Sequence, residues 1–187
     1  MHILEITLEG FKSYPTRTTL VQFDSQFNCI TGLNGSGKSN ICDAICFVLG
    51  IQTLSHVRVS NLQELIYKRG NAGVTRASVT LIFDNSDKSR SPPQLVNSDR
   101  VTITRQVADG KSKYTLNGRT ETADKIKGMF MGMHLNVNNP HFLVMQGRIA
   151  QVINMKPLQT LSLIEEASGT SLYENRKLAS LKIIQKK

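Results

Sequence analysis

Leu4, Ile6 and Leu8 alternate with Ile3, Glu5 and Thr7, a period of two that predicts an opening strand. A turn around Ser13-Tyr14-Pro15 and a second strand over Thr18–Phe23 give a hairpin-like start. Phe27–Thr31 reads as a further strand ending at Gly32. The period then changes: Ile41, Ala44, Ile45, Val48 and Leu49 fall at i, i+3, i+4, i+7 and i+8, one buried face of a helix that Gly50 stops. A short helical patch is expected over Leu62–Tyr67, followed by β-branched stretches at Val74–Phe83 and Val101–Val107. Between these lies a polar insert, Asn85–Asp99, whose Pro92-Pro93 predicts a flexible surface loop.

Farther on, Lys113–Leu116 precedes Asn117-Gly118, a strong hairpin pair. Helix is expected over Thr122–Met131 and a short buried strand at Phe142–Met145. From Leu158 the chain reads helical, bent near Ser168-Gly169-Thr170, with Leu172, Leu178, Leu181 and Ile184 spaced among Lys and Glu. Two loose heptads fall short of the about three or four that define a coiled coil, but an uncapped charged helix suggests the start of a longer element. There is no internal repeat.

Gly32-Leu33-Asn34-Gly35-Ser36-Gly37-Lys38-Ser39 fits G-x-x-x-x-G-K-[ST] at every fixed position, between an expected strand and an amphipathic helix. With average residue usage such a match would arise by chance roughly 0.006 times in a chain this long. Glycines let backbone N–H groups curl around a phosphate without Cβ clashes, and the positive end of the following helix favours the anion. Lys38 would reach the β- and γ-phosphates, and the Ser39 hydroxyl would ligate Mg²⁺. Asn34, Gly35, Ser36, Gly37, Lys38 and Ser39, with Asn40 after them, are therefore candidate ATP-binding residues.

Charge adds a possible second ligand. The net +9 is uneven: residues 1–99 carry an excess of +1 and residues 100–187 an excess of +8. The basic half suits DNA phosphates, and equally an acidic partner or another part of the same protein. Cys29, Cys42 and Cys46 are too few for a disulfide framework, which points to a reducing compartment. Cys42 and Cys46, four apart on the expected helix, read as buried thiols or as half of a metal site that no other Cys or His pair completes. No apolar run approaches the roughly 20 residues of a membrane helix, and the amino terminus has no signal-peptide pattern, so the expectation is a soluble, untargeted chain.

Hydrolysis needs more than a phosphate loop: a metal-holding Asp after an apolar strand, a group that positions water, and often an external cation. Val79-Thr80-Leu81-Ile82-Phe83-Asp84 supplies one internal candidate. If Asp84 holds metal, the chain is a self-contained small P-loop enzyme such as a nucleotide kinase. If Asp84 only ends a strand before Asn85-Ser86-Asp87-Lys88, the site is incomplete. A third alternative is a structural DNA-binding module with a vestigial loop.

Several segments together resemble the structural-maintenance-of-chromosomes ATPases: Gly10-Phe11-Lys12-Ser13-Tyr14, Gly32–Ser39 with Asn40, Gln146-Gly147 after Phe142–Met145, and Glu165-Glu166-Ala167-Ser168-Gly169-Thr170. The resemblance covers essentially the whole chain. Leu135–Ile149 and Asn154-Met155-Lys156-Pro157 look most like the branch found in eukaryotic condensin. The resemblance implies the N-terminal half of an ABC-type α/β P-loop head: residues 1–166 with a mixed or antiparallel β subdomain, then a coiled-coil helix starting within 167–187. The C-terminal half of the same polypeptide would bring the Walker B acid and the signature motif, neither of which is recognisable here.

It also implies that Lys12 and Ser13 approach the phosphates, that Arg58 lies in an arginine loop near the nucleotide, and that Gln146 touches Mg²⁺ and the attacking water. From the residues alone, Gln146 reads equally as a solvent-facing loop amide and Arg58 as a solvated side chain. Implied partners are a second subunit of the family, kleisin-type subunits and DNA bound without sequence preference. The implied setting is the nucleus and its chromosomes, with a cytoplasmic phase in the cell cycle. Val59 and Ser168 stand where the family usually has Ala; the first bears on packing of the arginine loop and the second lies at the exit toward the coiled coil.

Overall fold

A computed structural model describes residues 1–50, 57–68, 73–132, 153–168 and 170–185. They fall into two compact units, Met1–Lys127 and Gly128–Lys187. The first is built on six antiparallel strands: β1 (His2–Glu9), β2 (Thr18–Val21), β3 (Arg76–Asp84), β4 (Arg100–Ala108), β5 (Lys111–Leu116) and β6 (Arg119–Glu121), in the spatial order β2-β1-β3-β4-β5-β6. Helix α1 (Lys38–Val48) packs across β3 and β4. Helix α2 (Ala123–Gly132) follows the sheet.

Alternation along the strands produces the core. Ile6 and Leu8 of β1, Ala77, Val79, Leu81 and Phe83 of β3, and Val101, Ile103 and Val107 of β4 are all buried. On the opposite face, cross-strand threonine pairs close at 3.1 Å (Thr7–Thr19) and 2.8 Å (Thr80–Thr104). Asn117 and Gly118 both have positive φ, as a two-residue hairpin turn requires, and Asp109-Gly110 makes the same kind of turn between β4 and β5.

Four expectations change. Phe27–Thr31 is not a strand: no described strand pairs with it, and Phe27 is 78% exposed. Its start is a side-chain turn in which Asp24 Oδ1 accepts from the Gln26 and Phe27 N–H groups at 2.8 and 3.0 Å. These bonds hold the Asp24 carboxyl below the usual range. Leu62–Tyr67 shortens to a 3₁₀ turn over Leu62–Leu65, because Ile66 turns extended and bridges to Phe11.

The polar insert is organised rather than loose. Buried Asn85 donates through Nδ2 to Ser91 Oγ, Leu95 O and Ser98 O at 3.0, 2.8 and 2.7 Å, and Lys88 Nζ pairs with Asp99 at 2.7 Å. Among the three thiols only Cys46 is buried, with its pKa pushed up to about 12 by burial, while Cys29 and Cys42 are exposed.

In the second unit, α3 (Pro157–Ala167) and α4 (Thr170–Gln185) break where the bend is expected. Ser168 and Thr170 hydroxyls both donate to Glu165 O at 2.9 Å there. Phe142–Met145 lies outside the described residues. No described helix is long and apolar enough to cross a membrane.

Candidate nucleotide-binding site

The phosphate loop is shaped by its glycines. Gly32, Gly35 and Gly37 all have positive φ, and a Cβ on Gly37 would lie 2.9 Å from Ser13 Oγ and 3.0 Å from the Tyr14 hydroxyl. Gly37 caps α1 without a side-chain acceptor, and the first turn holds no acidic residue. The positive end of the helix therefore faces no carboxylate of its own first turn. Lys38 Nζ donates to the carbonyls of Gly32 and Leu33 at 2.6 and 2.7 Å, folding the ammonium onto oxygens of its own loop. Ser39 is exposed on the first turn. Glycine curvature, an ammonium paired among the described residues with loop carbonyls and an exposed hydroxyl beside it fit a bound polyphosphate with its metal.

A second loop leans on this one. Phe11 is fully buried with its ring centroid 5.6 Å from that of Phe47, which anchors the Gly10–Tyr14 turn beneath α1. Gly10 is required there, since a Cβ would come within 2.2 Å of Arg76 O. The Tyr14 hydroxyl donates to Gly37 O at 3.3 Å, and Asn40 Nδ2 donates to Ser13 Oγ at 2.8 Å. Lys12 Nζ donates to Asp43 Oδ2 and to Val57 O, both at 2.6 Å. Arg58 pairs with the same Asp43 Oδ2 and reaches Asn40 Oδ1 at 3.3 Å.

Lys12, Ser13, Gly37, Asn40 and Arg58 are thus brought together from three separate segments. Arg58 is no solvated bystander. Asp43, which joins Lys12 to Arg58, carries a weak sequence signal: an acid beside Ala44 on the apolar side of α1, where its side chain is 2% exposed. Gln146 lies outside the described residues.

Asp84 ends β3. Its Oδ1 accepts from the Ser86 N–H at 3.1 Å and the Ser86 hydroxyl at 2.5 Å, and its Oδ2 lies 3.6 Å from His2 Nδ1. The bonds from Ser86 keep its carboxyl below the usual range. This is the geometry of a strand-ending turn. Among the described residues no cluster of three or more Cys, His, Asp or Glu side chains forms a metal site, so Cys42 and Cys46 find no further ligands there.

Residues 2–162 match the family model described as the RecF/RecN/SMC N terminal domain. The chain belongs to that family. It is 58% identical to structural maintenance of chromosomes protein 2-2 of Arabidopsis thaliana and to structural maintenance of chromosomes protein 2 of Homo sapiens, and 56% identical to that of Saccharomyces cerevisiae. Each match covers 100% of this chain but only 16% of the relative.

Among solved structures, it superposes with a TM-score of 0.82 and 35% identity on an Smc head domain from Pyrococcus furiosus bound to the C-terminal domain of ScpA, covering 99% of this chain and 46% of that one. A structure from work on ATP-driven dimerization and DNA-stimulated activation of SMC ATPases matches with a TM-score of 0.76 and 36% identity, over 89% of this chain and 99% of the other. The antiparallel sheet with its P-loop helix is accordingly the N-terminal part of an ABC-type SMC head.

Proposed function

We propose that the chain binds Mg·ATP as the N-terminal half of a chromosome-organising ATPase head, and that a partner head closes over the nucleotide. The observation that carries this is the assembly of Lys12, Ser13 and Arg58 around Gly37–Asn40, beside a loop curved for phosphate. The backbone N–H groups of Asn34 to Ser39 and the Lys38 ammonium would bind the phosphates, while the Asn40 N–H is taken by Gly37 O at 2.9 Å. Ser39, with Gln146, would hold Mg²⁺, whose charge offsets that of the phosphate oxygens.

The C-terminal half of the same polypeptide would supply the Walker B acid and signature motif and pair with Phe27–Thr31, whose exposed Phe27 and Ile30 lack a strand partner among the described residues. Apolar side chains left exposed on α3 and α4, including Leu158, Ile164, Leu178 and Ile184, suit a coiled-coil neck and a kleisin-type subunit. The 58% identity to second-subunit proteins supports a condensin assembly, with a second subunit of the family, in nuclear chromosome condensation. Exposed Lys111, Lys113, Arg119 and Lys125 suit DNA phosphates, in binding that reads no base and falls steeply with salt.

Lys38→Ala tests the site. Among the described residues its ammonium bonds loop carbonyls alone, so the substitution is expected to abolish Mg·ATP binding by calorimetry while leaving the circular dichroism spectrum unchanged. Retained binding would make the loop vestigial.

A further inference from the structure

We infer that Asp43 is the positioning residue of this site: a single buried carboxylate oxygen sets where both Lys12 and Arg58 stand beside the phosphate loop. The inference rests on the nucleotide-binding reading. Its basis is geometric. Lys12 arrives from the turn after β1, Arg58 from a loop beyond α1, and both end on Asp43 Oδ2. Both residues also have positive φ, 50° and 56°, a backbone state that costs a side-chain-bearing residue about 1 kcal/mol. The Lys12 backbone is held locally, by the Phe11–Tyr14 turn and by its N–H to Leu65 O at 2.7 Å, so what Asp43 sets is the convergence of the two side-chain charges on one oxygen.

Stability alone gives little reason for such a triad, since apolar replacements of buried ion pairs are often neutral or stabilising. The charge balance suggests another use. One carboxylate faces two cations, so the cluster keeps a positive charge, and exposure decides where it is available. The side chain of Lys12 is 11% exposed and is also held by Val57 O, whereas that of Arg58 is 53% exposed. Arg58 further bonds Asn40, which bonds Ser13 beside Gly37. Asp43 thus keeps Lys12 fixed and presents Arg58 at the rim, where an arriving polyphosphate draws it without displacing Lys12.

The test is a double-mutant cycle on Mg·ATP affinity in the full chain. Asp43→Asn preserves shape and removes the charge that holds both cations; it is expected to weaken binding by more than the roughly tenfold loss of Arg58→Ala, with the double variant no weaker than Asp43→Asn alone. Losses that multiply, or an Asp43→Asn chain that binds as tightly as the unsubstituted one, would overturn the inference while leaving the phosphate loop intact. No binding by the unsubstituted chain would remove the nucleotide reading and this inference with it. A second measurement needs no variant to fold: the Arg58 Nε NMR signal of the unsubstituted chain is expected to report a restrained guanidinium before nucleotide is added and to shift when Mg·ATP binds. A freely rotating guanidinium, or a signal indifferent to Mg·ATP, would equally refute the positioning role.

Discussion

Ser39 and Lys38 are adjacent on α1, and on the proposed reading their tasks are separable: the ammonium would meet phosphate directly and the hydroxyl through the metal. Ser39→Ala is therefore expected to weaken nucleotide binding several-fold in the presence of Mg²⁺ and to leave binding in EDTA nearly unchanged; calorimetry in both conditions separates the two. Equal losses would remove the hydroxyl from the metal's coordination. At this scale the loop was legible from residue types and spacing alone, since the glycines and the lysine have few other reasons to stand in that order. Asp43 was not, because spacing along one helix cannot show that residues 31 and 15 positions away return to it. Arg58 remained ambiguous for the same reason: a basic residue in a loop declares its charge but not its partner.

Elements followed the sequence where local chemistry decides and departed from it where partners decide. The Asn117-Gly118 hairpin, the Gly50 stop after α1 and the Ser168–Thr170 break are set within a few residues, and each appears as its sequence indicates. Phe27–Thr31 has strand composition but no ladder to join among the described residues, and composition does not form a strand without a neighbour. The insert Asn85–Asp99 reads as loose by composition, yet one buried amide with three acceptors organises it.

Arg105 shows the same dependence on context. It occupies a core-facing position of β4 in line with Ile103 and Val107, where a cation is unexpected. Its guanidinium lies over the Phe47 and Tyr114 rings at 4.3 and 4.9 Å and donates to Phe47 O, at the end of α1, at 2.6 Å. Burial draws its pKa below the ordinary value. Arg105→Met keeps the length and removes the donor, so denaturant unfolding is expected to show a loss of about 2 kcal/mol. An unchanged midpoint and slope would mean that the cation does not hold α1 to the sheet.

Over the whole molecule, the antiparallel sheet, its P-loop helix and the family are firmly placed, while the chain spans 16% of the length of the curated relatives it matches. The described residues offer a phosphate cradle and two cations beside it, with Asp84 committed to its own turn. Charge stabilisation of a transferring phosphoryl group requires several preorganised groups, and the lack of even one supplied cation costs on the order of 10³ to 10⁵ in rate. Binding without turnover is therefore the proposed state of the chain by itself. Phosphate release from saturating Mg·ATP by the 187-residue chain alone tests this most directly: the expected rate is background, whereas hydrolysis at roughly one per second or faster, lost in Lys38→Ala, would contradict the half-site account and return Asp84 to the role of metal ligand.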